Sequence, residues 1–207
     1  MTALRIGVLA SGGGTNLQAL LDSVHGREAQ VVGVASDKRD APALERARDA
    51  GVPTSVFPRD AFADRCARDR AIGDWLAAQG VELVVLGGYM AILDAAFITR
   101  FADRIINVHP SLLPAFPGIA AVQQAIDYGV KVFGVTVHFV DEGVDTGSII
   151  LQRSIELPGA TDADAVLAAL RPLEHALLPE AVRLIAAGLV HRDPAHPRRI
   201  VVGGGSD

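Results

Sequence analysis

Short apolar runs alternate with stretches of helical periodicity from the start of this chain, and that alternation is its strongest constraint on fold. It is the sequence form of a parallel sheet with crossover helices. Arg5-Ile6-Gly7-Val8-Leu9 reads as a first strand, and Leu17, Leu20, Leu21 and Val24 recur at helical spacing behind Thr15, the expected N-cap. A second strand is expected over Val31–Ala35. A helix follows over Ala41–Ala50, stopped by Gly51 and Pro53, and a short third strand over Thr54–Phe57. One long helix is expected from about Ala61 to Gln79, with Gly80 ending it. Leu83–Leu86 is a continuous apolar run, as expected of a central strand covered on both faces, and Arg104–Val108 is a further strand.

The second half differs. Val132–Val140 and Ser148–Ile155 are β-rich runs separated by the turn-rich loop Asp141-Glu142-Gly143-Val144-Asp145-Thr146-Gly147. Thr161-Asp162-Ala163-Asp164 fits a capping box for a last helix reaching about Ala187, which Pro172 and Pro179 are expected to break or kink. Val201-Val202 reads as a final strand followed by disordered residues. With no repeat or linker, the pattern predicts a single domain over residues 1–207, its halves about 1–100 and 101–200. The fold class is α/β: a Rossmann-like open, mostly parallel twisted sheet with helices on both faces and an antiparallel portion in the C-terminal half.

Composition narrows the function. The net charge of −5 and pI near 5.6 argue against nucleic acid as a partner, since phosphate-backbone binding needs a basic surface. The single cysteine, Cys66, rules out an internal disulfide and a thiolate zinc site, and suits a reducing compartment. The apolar stretch Leu83–Leu93 falls short of the ~18 residues a membrane span needs. No signal peptide precedes the first strand, so a cytoplasmic location is expected.

Four constellations carry polar groups in places where α/β folds do chemistry. Ser11-Gly12-Gly13-Gly14-Thr15-Asn16 lies between the first strand and first helix, where backbone amides favour an anion. Leu17 stands at the third position of a dinucleotide fingerprint and there is no Walker lysine, so a phosphate monoester fits better than NAD or ATP. A tight turn with no ligand fits equally. Asn107 and His109, two apart at a strand end, share one face. Pro110, Pro114 and Pro117 stiffen the loop beyond. A lone strand-end histidine can be structural or catalytic. Thr136 and His138 share one face of a later strand, and Asp145 follows in a glycine-flanked loop, aimed by a turn or merely making one. Gly87-Gly88-Tyr89-Met90-Ala91-Ile92-Leu93 opens a backbone slot behind a buried strand, suited either to a flat ring or to core packing. His25, His191 and His196 read as solvated, and with no H-x-x-x-H and no second histidine near His109 a metal site has little support.

In order along one chain, ASGGGTNLQAL, ASDKRDAPALERARDAGV, VVLGGYMAIL, NVHPSLLPAFPG, GVTVHFVDEGVDTGSIILQ and LEHALLP resemble the folate-dependent formyltransferases. The resemblance spans residues 10 to 179 and is most specific where NxHPSLLP is combined with GxTxHxxxxxxDxG. It implies transfer of the formyl group of 10-formyltetrahydrofolate, as co-substrate, to the amine of glycinamide ribonucleotide in de novo purine biosynthesis, with no metal. It implies a catalytic trio of Asn107, His109 and Asp145. Gly12, Gly13, Gly14, Thr15 and Asn16 would hold the substrate phosphate and Glu174 its ribose end. Met90, Ala91, Ile92, Leu93, Val140, Asp141 and Asp145 would enclose the pterin, and Arg65 would meet the glutamate tail. The N-terminal half would bind phosphate, the C-terminal half folate. The partners implied are small molecules, with a homodimer among the assemblies allowed.

The chain departs from the family pattern in four places. Ala91 stands where the family usually has arginine, and Ile119-Ala120-Ala121 carries no histidine where one is common. Ser148 replaces a common proline. Arg171-Pro172 precedes Leu173-Glu174 where a polar helical segment is usual, and Arg171 is placed to supply a cation there. The rival expectation is a sister activity with the same trio, a formyltetrahydrofolate hydrolase or a methionyl-tRNA formyltransferase. These carry an extra N-terminal domain, or an extra C-terminal domain and a basic surface. A Ser111–His109–Asp145 hydrolase lacks a nucleophile elbow. A non-catalytic ligand-sensing domain would follow if Ala91 and Ala120 mark degeneration.

Overall fold

The computed structural model describes residues 2–203, which divide between Asn107 and Val108 into two compact units. The first holds β1 (Leu4–Leu9), α1 (Thr15–Ser23), β2 (Ala29–Ser36), α2 (Pro42–Asp49), β3 (Thr54–Val56), α3 (Arg65–Ala78), β4 (Leu83–Leu86) and α4 (Ala95–Arg100). β1 pairs in parallel with β2 and β4, β2 with β3, and β4 with β5 (Ile105–His109), the strand that carries the chain across the division. The second unit holds α5 (Ala121–Tyr128), the antiparallel pair β6 (Val132–Phe139) and β7 (Ile149–Glu156), α6 (Ala163–Ala186), and the hairpin of β8 (Val190–Arg192) with β9 (Ile200–Val202). The seven-stranded sheet has the order β3-β2-β1-β4-β5-β6-β7, the mostly parallel Rossmann-like arrangement expected, with an antiparallel portion in the C-terminal half.

The central strands form where the chain offers unbroken β-branched and leucine runs, which both faces of a parallel sheet bury. All four residues of β4 are buried. Ile6 and Leu9 of β1, Leu17 and Leu20 of α1, Leu44 of α2, and Ile72 and Leu76 of α3 make the core of the first unit. In the second, Leu170, Leu177 and Leu178 of α6 are fully buried, and the helix packs against β6 and β7.

Several local expectations need correction. Thr15 is the first helical residue of α1, and Gly14 is its cap, with φ 70° and no side-chain cap. A Cβ on Gly14 would lie 2.7 Å from the Ala43 Cα, so the close approach of α2 and the left-handed backbone both reserve the position for glycine. The expected helix from Ala61 to Gln79 is interrupted. A single 3-10 turn covers Arg59–Ala61, Phe62 is extended, and α3 starts behind Asp64, whose carboxylate accepts the Ala67 amide at 2.7 Å.

α4 and α5 were not expected, because helices of six and eight residues show too little periodicity to stand out. Nor does α6 break: Pro172 and Pro179 lie inside 24 continuous helical residues. Each proline removes one amide donor, and the burial of Leu170, Leu177, Leu178, Ala181 and Val182 outweighs that loss. His25 is not simply solvated, since its Nδ1 accepts the Val31 amide at 3.1 Å. The expected disorder after Val202 falls mostly outside the described residues.

Pro172 is exposed, so it contributes little packing. Pro172→Ala restores a helical amide and should raise unfolding free energy by about 1–2 kcal/mol, the helix-interior cost of proline less its entropic effect on the unfolded chain. Urea unfolding followed by far-ultraviolet circular dichroism measures this; a loss of stability would show that the proline ring is needed where it stands.

Candidate active site

The second unit gathers a buried carboxylate between two imidazoles. His109 ends β5, and its Nδ1 lies 3.3 Å from Oδ2 of Asp145. His138, near the end of β6, places Nε2 3.5 Å from Oδ1 of the same carboxylate. The Gly118 amide donates to Asp145 Oδ2 at 2.8 Å. Both histidines are buried and the Asp145 side chain is 14% exposed. The remaining ring nitrogens face backbone carbonyls: His109 Nε2 donates to Phe116 at 2.9 Å, and His138 Nδ1 to Phe139 at 2.8 Å. Each ring therefore stands between the Asp145 carboxylate and a backbone carbonyl.

Loop geometry aims Asp145. Its φ is 53°, a left-handed conformation that aspartate tolerates better than most residues. Two residues on, Gly147 runs so close to β6 that an added Cβ would overlap the Phe139 carbonyl. Only glycine closes that turn, and the turn directs Asp145 inward. Thr136, on the same strand face as His138, takes the Leu113 amide at 3.1 Å and donates to the Ser111 carbonyl at 2.7 Å, which ties β6 to the proline-rich loop behind His109.

Burial alone pushes the Asp145 carboxyl up, but the hydrogen bond from His138, the Gly118 amide and the charge of both imidazoles bring it down to about 2. The site is thus built to keep a carboxylate ionised out of water, which suits it to orient an imidazole and exchange protons with it.

The other expected residues fall as follows. Asn107, half-buried, is paired in register with Leu86 of β4. In the glycine loop, the Gly12 carbonyl accepts the Ala43 amide at 3.1 Å and the Gly13 carbonyl accepts Arg46 Nε at 2.8 Å. The Gly12 and Gly13 amides donate to no acceptor among the described residues. Carbonyls bound by α2 and unengaged amides ahead of α1 make the loop fit for an anion. Thr15 is half-buried and Asn16 buried.

Ser11 links this loop to the glycine slot after β4. Its hydroxyl donates to Asp37 at 2.5 Å and accepts the Met90 amide at 2.9 Å. Met90 and Ile92 are 66% and 64% exposed, whereas Ala91 and Leu93 turn inward. A crevice of about 690 Å³ beside Met90 is lined by Asp37, Lys38, Arg39, Arg59 and Asp60 among others, with none of the trio.

Arg65 is exposed at the start of α3. Val140 and Glu174 are half-buried, and Asp141 is occupied within its own loop by the Gly143 amide at 3.1 Å and the Thr146 hydroxyl at 2.5 Å. His138 was not among the expected site residues. Two sequence signals touched it, the strand face shared with Thr136 and the histidine of the GxTxHxxxxxxDxG pattern, and neither gave it a role.

Together these features fit an α/β enzyme with a glycine loop of unengaged amides and a carboxylate buried between two histidines. Residues 4–182 match the family described as formyl transferase. A phosphoribosylglycinamide formyltransferase of Haemophilus influenzae is 42% identical over 186 residues, covering 89% of this chain and 88% of that protein. A trifunctional purine biosynthetic protein, adenosine-3, of Drosophila melanogaster is 42% identical over 188 residues, 89% of this chain and 14% of its own much longer one. The crystal structure of glycinamide ribonucleotide transformylase 1 from Symbiobacterium toebii superposes with a TM-score of 0.93 at 45% identity, covering 98% of this chain and 95% of that one. The chain belongs to the formyl transferase family.

The low Asp145 ionisation sets a pH signature. Asp145 loses its proton near 3.9 in the unfolded chain and near 2 in the folded one, so it stabilises the fold fully above about pH 4. That stabilisation, roughly 2 kcal/mol, fades as pH falls toward 2. The difference in unfolding free energy between wild type and Asp145→Asn should therefore shrink between pH 4 and pH 2 in urea titrations. A difference independent of pH would mean that the carboxylate is not held ionised.

Proposed function

We propose that this protein transfers the formyl group of 10-formyltetrahydrofolate to the amine of glycinamide ribonucleotide, giving formylglycinamide ribonucleotide and tetrahydrofolate in purine biosynthesis. The observation that carries it is the buried His109–Asp145 pair, in a chain of the formyl transferase family that matches a phosphoribosylglycinamide formyltransferase over nearly its whole length. 10-Formyltetrahydrofolate is a co-substrate here, consumed in the reaction.

In the proposed mechanism the substrate amine attacks the formyl carbon, forming a C–N bond and leaving negative charge on the formyl oxygen. Asn107 and His109 stabilise that oxygen by donating N–H groups. Donors of this kind are each worth on the order of a hundred- to a thousandfold in rate. In this structure His109 Nε2 donates to the Phe116 carbonyl; to serve the reaction, the formyl oxygen takes that carbonyl's place as acceptor. Asp145 holds the ring by its Nδ1 side and passes the amine proton toward the folate nitrogen as the C–N bond to folate breaks. His138 braces Asp145 from the other side. No covalent enzyme intermediate is required.

The substrate phosphate is assigned to the amides of Gly12, Gly13 and Gly14 with Thr15 and Asn16, its ribose end to Glu174, and a supporting cation to Arg171. Met90, Ala91, Ile92, Leu93, Val140 and Asp141 are assigned to the pterin, and Arg65 to the glutamate tail. The acidic charge balance supports an enzyme that works without nucleic acid, and the lone thiol of Cys66 suits the reducing cytoplasm. Among the described residues no helix is long and apolar enough to cross a membrane.

Formyl transfer assayed with both substrates should show His109→Ala and Asp145→Ala each losing at least about a hundredfold in kcat. Full activity in either variant would remove that residue from the chemistry. Breakdown of the folate with no need for the amine substrate would instead identify a hydrolase.

A further inference from the structure

The folate-side segment Met90–Leu93 connects β4 to α4 and belongs to no strand, so its backbone polar groups need partners from elsewhere. Three side chains supply them. Ser11 Oγ takes the Met90 amide at 2.9 Å, Arg68 Nη2 donates to the Ile92 carbonyl at 3.3 Å, and Asp69 Oδ2 takes the Asp94 amide at 2.8 Å. Arg68 and Asp69 lie on the buried face of α3 with Ile72 and Leu76, at 4% and 0% exposure. Arg68 Nε and Nη2 both reach Asp69 Oδ1, at 2.8 and 2.7 Å, which leaves Oδ2 for the Asp94 amide. The carbonyl before Leu93 and the amide after it are thus held by one ion pair. Asp94 in turn caps α4 by accepting the Phe97 amide at 2.7 Å.

A buried ion pair is a poor way to gain stability, because desolvation offsets its attraction and apolar residues of equal volume serve as well. What apolar residues cannot do is bond the loop backbone. With the backbone held at residues 90, 92 and 94, Met90 and Ile92 project outward while Ala91 and Leu93 face in. If the segment turned over, the exposed pair would change. Ala91 brings no cation of its own, so recognition by this segment depends on which apolar side chains it presents.

We propose that Arg68, through its pairing with Asp69, is a positioning residue for the folate co-substrate; it sets the presentation of Met90 and Ile92. This role rests on the assignment of Met90–Leu93 to the pterin. Its test is steady-state kinetics of Arg68→Lys, which keeps the buried charge beside Asp69 but lacks the planar fork that bonds Asp69 and Ile92 together. The KM for 10-formyltetrahydrofolate should rise about tenfold, the scale of one hydrogen bond to a charged group. The KM for glycinamide ribonucleotide and kcat should hold, as should the melting temperature. General loosening of the fold would move both KM values and kcat together, and that result overturns the proposal. Ile92→Ser separates the two levels. An unchanged folate KM in Ile92→Ser overturns the placement of the segment against folate and the role of Arg68 with it. A raised folate KM there, beside an unchanged one in Arg68→Lys, overturns the role of Arg68 alone.

Discussion

Asp145 is a carboxylate taken largely out of water, and the second unit is arranged around the consequence. A buried charge is tolerated only when its lone pairs are bonded and its field is answered. His109 from the end of β5, His138 from β6 and the Gly118 amide meet those demands together. The left-handed backbone at Asp145 and the close approach that reserves position 147 for glycine exist to deliver the carboxylate to that spot. The proline-rich loop is held in turn, because Phe116 gives His109 its second acceptor and Thr136 fastens the loop to β6. These bonds hold the carboxylate, both rings and the loop in one fixed arrangement, the preorganisation that the proposed chemistry calls for.

The first unit solves a related problem for neutral groups. Loops at the ends of parallel strands have no neighbouring ladder to satisfy their amides and carbonyls. Here side chains do it: Ser11 and the Arg68–Asp69 pair for the segment after β4, Arg46 and the start of α2 for the carbonyls of the glycine loop. In the glycine loop the carbonyls are engaged while the amides of Gly12 and Gly13 are not, and that asymmetry suits it to an anion.

Most strands were legible because a buried parallel strand needs a continuous apolar run, and Leu83–Leu86 and Ile6–Leu9 have one. Short helices were not: α4 and α5 have too few turns to show a period, and Asp64 and Gly14 moved helix starts by local capping and close contact. Pro172 and Pro179 read as breaks because proline opposes helix locally, whereas long-range burial along α6 decides the outcome. His109 and Asp145 were legible as candidate site residues through a family pattern. From spacing alone each had an ordinary explanation. His138 was visible as a motif residue without a role and Arg68 went unnoticed, since a histidine on a strand and an arginine on a helix acquire roles only from what they touch.

The residue sequence by itself determined the class of fold, the place of the glycine loop at a strand end, and the catalytic candidates, because apolar periodicity, glycine and the family's spaced motifs are written along the chain. Tertiary structure alone decided that one carboxylate serves two imidazoles, that the Phe116 carbonyl engages Nε2 of His109, and that an ion pair on α3 secures a loop more than twenty residues away. These depend on distances between residues far apart in the chain, which only packing sets; the desolvation that gives Asp145 its character comes from that same packing.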